Sequence, residues 1–226
     1  GDQAIENDRN VAERFSMRGR KALVTGGSVS IGREIALAFA DAGADVAIQH
    51  ARAADIAFGR TSAAEETVSA IAGRGRVGFA IDADFARPHE ATRCADEARR
   101  SLGGLDVLVI CASIQYRTPF EEVTEEQTER QIQVNFRATI ELLQAVLPEM
   151  RRRRFGRVLT IGSVNQIAPE SVLSVYAALK SAQYNLAINL AREYAPHGVT
   201  INNLSPGLIA TERNKWRRQD AAAWKA

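Results

Sequence analysis

Six short apolar runs recur along the chain, separated by longer stretches in which apolar residues return at a helical period. The runs are Lys21–Thr25, Asp45–Gln49, Arg76–Ile81, Leu105–Ala112, Arg157–Ile161 and Val199–Leu204. Leu105–Ala112 is the most continuous, as expected of a central strand buried on both faces. Between them, helical patterns cover about Ile31–Ala42, Thr61–Ala72, His89–Leu102, Thr124–Met150 and a helix through Tyr176 ending near Tyr194. Strands alternating with helices predict an α/β fold: one doubly wound parallel sheet in three α/β/α layers. No repeat, low-complexity segment or internal linker divides it, so a single domain is expected.

Composition narrows the function classes. A chain of 226 residues is long enough to bury roughly 70% of its unfolded surface in one domain. It is 46% hydrophobic and 25% charged, without a twenty-residue apolar run, so no membrane span is expected. A net charge of +2 gives no argument for nucleic acid. Arg151–Arg154 ends an apolar helical stretch, where cations favour the carboxyl end of the helix dipole. Cys94 and Cys111 have neither pair spacing nor a metal motif, which suits a reducing, cytoplasmic setting. Residues 1–15 are polar, begin without Met and are read as a tail outside a domain of residues 16–226.

Candidate chemistry centres on Ser163, Tyr176 and Lys180. Tyr176 and Lys180 stand at i and i+4, on one face of the predicted helix. A phenol titrates near ~10, and a neighbouring ammonium favours its ionised form. Ser163 follows the apolar run Val158–Ile161, at the carboxyl end of a strand, where open α/β sheets bind ligands. The same spacing also describes a ring at the core edge beside a snorkelling lysine. Upstream, Gly26-Gly-Ser-Val-Ser-Ile-Gly32 joins the first strand to an alanine-rich helix. That context suits a pyrophosphate cradled by backbone N–H groups, and equally a tight structural turn. After the second strand the acidic residue of an NAD site is replaced by Gln49 and Arg52, and a guanidinium can bind a 2′-phosphate. NADP is therefore preferred; Asp55 keeps NAD open, and Arg52 also reads as an exposed loop residue. Asp84, after the third strand, can accept from an adenine amine or cap the next helix. Asn135, inside a helical pattern, is a residue usually solvated or bonded back to its own helix.

With these pieces placed, residues 16–211 resemble the short-chain dehydrogenase/reductase family, with its Rossmann-like sheet. The resemblance rests on Thr25-Gly26-x-x-x-Ser30-x-Gly32, Asp84-Phe85, Ile110-Cys-Ala-Ser113, the series Asn135, Ser163, Tyr176 and Lys180, and Pro206-Gly207-x-Ile209-x-Thr211. It implies Tyr176 as proton donor and acceptor, Lys180 as its tuning and ribose-binding partner, and Ser163 orienting the substrate oxygen. Asn135 would hold a water linking Lys180 to solvent. Cofactor contacts are implied for Gly26, Ser28, Ser30, Ile31, Gly32, Arg52, Asp84, Phe85, Ala112, Ser113, Tyr176, Lys180, Pro206, Gly207, Ile209 and Thr211. No metal is implied.

Three departures stand out. Ser30 occupies the middle glycine position of the turn. Ile110, Cys111 and Ser113 replace two asparagines and a glycine, predicting weaker cross-links beneath the fourth strand. The chain also stops where relatives continue through another helix and strand. Around Gln115 and Arg117 the sequence looks most like members acting on sugar acids such as gluconate, with Arg117 offering a planar fork to a carboxylate; a surface arginine is the alternative. A 3-oxoacyl thioester, steroid or polyol stays open as substrate. A homo-oligomer, tetramer or dimer, is implied. The competing functional class is a catalytically silent dinucleotide-binding sensor or scaffold.

Overall fold

The computed structural model describes residues 11–215. After a single turn of helix, α1 (Val11–Arg14), the chain runs β1 (Lys21–Thr25), α2 (Ser30–Asp41), β2 (Asp45–His50), α3 (Arg52–Ala57), α4 (Ala63–Ala72), β3 (Gly78–Asp82) and α5 (Glu90–Leu102). It continues through β4 (Val107–Ile110), α6 (Glu125–Ile132), α7 (Ala138–Arg153), β5 (Gly156–Ile161), α8 (Ser174–Tyr194) and β6 (Val199–Leu204). The six strands are all parallel, in the order β3-β2-β1-β4-β5-β6. This is the doubly wound sheet that the sequence pattern predicts.

Alternation along the central strands divides the core in two. Leu23 and Leu108 point to the face covered by α5, α7 and α8, with Cys94, Leu142, Val146 and Ala187 packed around them. Ala22, Val24, Val107 and Val109 point to the other face, against Ala36, Leu37 and Ala40 of α2 and Ile71 of α4. A strand covered on both sides must be apolar at every position, which is why β4 is buried throughout.

The predicted strand Leu105–Ala112 is trimmed at both ends by side chains that capture its backbone or neighbours. At the start, Asp106 accepts from the Lys21 amide at 3.1 Å and from Arg153 at 2.9 Å. At the end, the Cys111 and Ala112 amides both turn to the Thr25 hydroxyl, at 2.9 and 3.1 Å. That second pair ties the segment after β4 to the end of β1. The third strand starts at Gly78 rather than Arg76, because Arg76 and the Val77 amide are held by Asp45, at 2.7 and 3.0 Å.

The long helix expected over Thr124–Met150 is also revised. Thr124 and Gln127 form a reciprocal capping box that starts α6. A π segment, Gln133–Arg137, then separates α6 from α7. Asn135 sits in that widened turn, a feature often found at functional sites. Arg153 closes α7 by bonding Asp106, and Arg154 follows in the left-handed region at φ +55°. No helix among the described residues is long and apolar enough to cross a membrane. The basic C-terminal tail and the first ten residues of the polar N-terminal stretch lie outside the described residues.

Candidate active site

Strand order reverses between β1 and β4, and a cavity of about 550 Å³ opens there at the carboxyl edge of the sheet. Every site residue read from the sequence lines it except Asn135 and Arg52.

Its floor is the glycine turn. Gly26 has φ +63°, and a Cβ there would meet the Ala112 backbone at 3.1 Å. A Cβ on Gly32 would lie 2.0 Å from the Gly26 carbonyl oxygen, so only glycine lets α2 start this close to the strand. Ser30 takes φ +53°, a left-handed conformation that a side chain disfavours by about 1–2 kcal/mol. Its hydroxyl donates to the Glu212 carboxylate, which also pairs with Arg60 at 3.2 Å. Those contacts hold the Glu212 carboxyl below the usual carboxylate range, the Ser30 bond first.

At the end of β2 the polar groups are already engaged. Gln49 accepts from the Gly26 amide at 2.8 Å and donates to the Ala83 carbonyl at 2.7 Å, so this side chain, read as facing the ribose, is a brace for the turn. Asp55 is buried, accepting from the Ser28 hydroxyl at 2.8 Å and bonded to His50 Nδ1 at 2.9 Å. Arg52 lies outside the cavity lining, 58% exposed, loosely paired with Asp82 at 3.7 Å and Glu65 at 3.9 Å. Asp84 caps no helix: its carboxylate takes the Ala86 amide at 3.0 Å, and α5 begins after His89 with no side-chain cap.

The catalytic candidates meet at β5 and α8. Lys180 is 2% exposed and donates to the Ile161 carbonyl at 2.7 Å, with its ammonium 5.7 Å from the centre of the Tyr176 ring. Burial lowers its pKa from 10.5 to about 8; the neighbouring Cys111 opposes the shift and Arg213 adds to it. Cys111 shifts upward, because burial disfavours the thiolate. Ser163 lies at the end of β5, its hydroxyl bonded to the Asn165 side chain at 2.9 Å and accepting from the Asn165 amide at 3.2 Å.

Asn135 is neither solvated nor bonded back to its own helix through its side chain. Its amide makes a two-point contact with the backbone of Ile114, accepting from the N–H and donating to the C=O, both at 2.8 Å. It thereby fixes the segment after β4 that forms one cavity wall.

The segment after β6 crosses the crevice. Pro206 is tied to Val164, and Arg213 reaches back to the Ser113 carbonyl at 2.6 Å. At the outer end of the cavity Arg117 pairs with Glu170. Glu212, Arg213, Arg60 and His50 escaped the sequence reading, as did the bonds that join Ser28, Asp55 and His50, since most of these contacts are made between distant segments. The one local signal was the polar trio Ser28, His50 and Asp55 beside apolar β1 and β2. Among the described residues no group of three or more His, Cys, Asp or Glu is placed to hold a metal.

The cradle suits a dinucleotide. The backbone of the turn is bare at three glycines, Gly26, Gly27 and Gly32, α2 has no side-chain cap, and the cavity runs from there to Tyr176. Glu212, bonded to Ser30 of the turn, is of the wrong sign for a phosphate.

The short chain dehydrogenase family matches residues 20–222. An uncharacterized oxidoreductase of Bacillus subtilis is 34% identical over 196 residues, 87% of this chain and 73% of that protein. Among solved structures, a 3-oxoacyl (acyl-carrier-protein) reductase from Agrobacterium tumefaciens C58 with NADP bound superposes with TM-score 0.87 at 36% identity, covering 98% of this chain and 83% of that one. An NAD(P)-dependent gluconate 5-dehydrogenase from Beutenbergia cavernae, so described provisionally, gives TM-score 0.83 at 34% identity, over 93% and 80% of the two chains. With the sheet, the glycine turn and the Tyr176–Lys180 pair in place, this chain belongs to the short-chain dehydrogenase/reductase family.

Proposed function

We propose that this enzyme interconverts a small hydroxy compound and its keto form, with NADP preferred over NAD. The carrying observation is a lysine ammonium fully buried 5.7 Å from the Tyr176 ring, on the cavity that the glycine turn also lines. When bound, the nicotinamide dinucleotide supplies or accepts the hydride. Tyr176 gives its phenolic proton to the substrate oxygen in reduction and takes it back in oxidation. Lys180 holds positive charge beside that phenol and reaches toward the nicotinamide ribose. Ser163 turns its hydroxyl from Asn165 to the substrate oxygen. Pro206, Gly207, Ile209 and Thr211 would close over the nicotinamide, and Ala112 and Ser113 would border it. Asn135 acts through Ile114 by keeping that wall in register.

Two contacts support NADP. Asp55, the carboxylate that would suit NAD, already has both oxygens engaged by Ser28 and His50. Arg52 stands at the rim in ion pairs of the exposed kind, worth about 0–1 kcal/mol, and gives them up easily for a phosphate. Sugar acids and polyols are the substrate classes that the likeness to the gluconate enzyme favours, with Gln115 and Arg117 at the outer end of the cavity. The domain spans residues 16–226 in this reading. We place the enzyme in the cytoplasm as a homo-oligomer; Tyr184 and Ile188, exposed on α8, suit a packing face.

The test is NADPH and NADH oxidation against a panel of sugar-acid ketones, simple ketones and 3-oxoacyl thioesters. Turnover with one class supports the reading and names the substrate. Tight NADPH binding with no oxidation across the panel would instead favour the silent sensor, whose support is the altered loop after β4 and Ser30 in the glycine motif.

A further inference from the structure

A chain of buried hydrogen bonds leads away from Lys180 on the side opposite the cavity. Besides Ile161, the ammonium meets one other acceptor, Gln183 Oε1 at 3.4 Å. Gln183 Nε2 donates to the Thr139 hydroxyl at 3.1 Å, and that hydroxyl donates to the Asn135 carbonyl at 3.2 Å. Lys180, Gln183, Thr139 and Asn135 are each no more than 2% exposed. The resemblance implies a water-mediated link from Lys180 by way of Asn135; here protein side chains span that distance.

The donor directions fix the amide. The Thr139 hydroxyl has one proton, which goes to the Asn135 carbonyl four residues back, in the π segment where the regular i+4 backbone pairing is broken. Its lone pair is then left for an N–H of Gln183. The carbonyl end of Gln183 must therefore face the lysine, and the reverse orientation would set an NH₂ against an ammonium.

We propose that Gln183 is a positioning residue for Lys180: it gives the buried ammonium its second acceptor and holds its charged form beside Tyr176. The proposal rests on the reading of Lys180 given above. Gln183 does not line the cavity, so it acts only through the lysine. The charged or titratable groups around the ammonium are Cys111 after β4, Arg213 from the crossing segment and Tyr176 on the same helix. Thr139 and Asn135 on the remaining side carry no charge.

Two variants of opposite sign test it. Gln183→Leu removes the acceptor and moves the Lys180 titration to lower pH; Gln183→Glu sets a carboxylate beside the ammonium and moves it to higher pH, each by about one unit. The titration is read in two ways on the full chain: as the pH at which Tm begins to rise in alkaline solution, and as the alkaline limb of kcat/KM. Shifts of opposite sign in both readouts are expected. A purely structural glutamine would lower Tm in both variants without displacing either midpoint, and that result overturns the proposal. Tm midpoints that shift while the kcat/KM limb stays put uphold Gln183 on Lys180 and overturn the role of Lys180 in turnover. If Gln183→Leu does not fold, Gln183→Asn takes its place: its shorter side chain draws the carbonyl back from the ammonium and should move both midpoints to lower pH, and midpoints that stay put overturn the proposal.

Discussion

The Lys180 ammonium lies 5.7 Å from the centre of the Tyr176 ring, and its nearest acceptor is the Ile161 carbonyl at 2.7 Å rather than the phenol. In the proposed mechanism the lysine acts on the tyrosine through its field, from a position fixed by β5. Removing only the phenolic oxygen leaves ring packing and lysine placement intact. Tyr176→Phe is expected to keep NADPH affinity within about twofold and to lose about 10²–10⁴-fold in turnover. Nicotinamide fluorescence titration alongside steady-state rates checks both halves; turnover near wild type would remove the tyrosine from the mechanism.

The displaced pKa of Lys180 has a consequence for stability. Its folded value, about 8, lies below the unfolded 10.5. Below pH 8 the lysine is charged in both states, and folding carries the whole cost of burying it. Between about 8 and 10.5 the unfolded chain binds the proton more tightly, so this group makes stability rise with pH. Above that range the cost is gone. Lys180→Met removes the titration, so the stability of the variant relative to wild type should fall by about 3 kcal/mol across this window. Urea unfolding at pH 7.5, 9 and 10.5 measures the difference; a flat difference would mean the ammonium is better solvated than its burial indicates.

Much of this was readable before folding because its signals are local. β1, β4 and β5 announce themselves as apolar runs, and Gly26 and Gly32 belong to a turn whose spacing is its own explanation. Tyr176 and Lys180 share a helical face by arithmetic. Asn135 shows where such reading ends. Its residue type and neighbours suggest a solvated or back-bonded side chain, whereas its partner, Ile114, stands 21 positions away on another element. Gln49 misled for the same reason: an amide at the end of β2 looks free for a ribose until the Gly26 amide and Ala83 carbonyl are brought against it. Thr25 was read only as part of the glycine motif, yet its hydroxyl holds the backbone of Cys111 and Ala112 after β4.

That two-point contact makes Asn135 a sensitive position. Asn135→Ala leaves the N–H and C=O of Ile114 without partners in a half-buried setting, at about 1–3 kcal/mol for each group left unsatisfied. A loss of roughly 2–6 kcal/mol is expected, together with lower turnover as the wall at Ser113 and Ile114 slackens. Asn135→Asp keeps an acceptor for the Ile114 amide but sets a carboxylate against its carbonyl, and should fare no better. Denaturant midpoints of the two variants decide; a loss under 1 kcal/mol would mean that water replaces both bonds.

In the proposed reading, cofactor choice turns on Arg52 more than on any carboxylate. Its exposed partners, Asp82 and Glu65, lie beyond 3.5 Å, and losing the side chain should leave Tm nearly unchanged. Arg52→Ala is expected to raise the KM for NADPH about tenfold, with little change for NADH, as when one charge-assisted contact to a phosphate is lost. Equal effects on both cofactors would assign 2′-phosphate recognition elsewhere, with His50 the next residue to vary because it lines the cavity at the same strand end.

Glu212 places a negative charge over the turn proposed to cradle the pyrophosphate. Its carboxylate is bonded to Ser30 and paired with Arg60, and these contacts keep it ionised at neutral pH. A pyrophosphate arriving there meets like charge and must displace it. Replacing the carboxylate by the isosteric amide keeps an acceptor for Ser30 and removes the repulsion. Screened as in water, one such repulsion at close range amounts to about 1 kcal/mol, so Glu212→Gln should bind NADPH roughly fivefold more tightly. The gain should shrink as salt is raised from 50 to 500 mM (about 14 to 4 Å in screening length), because the group is partly exposed. Weaker binding in the variant would reverse the assignment, making Glu212 the group that orders Ser30 and Arg60 for the cofactor rather than one that competes with it.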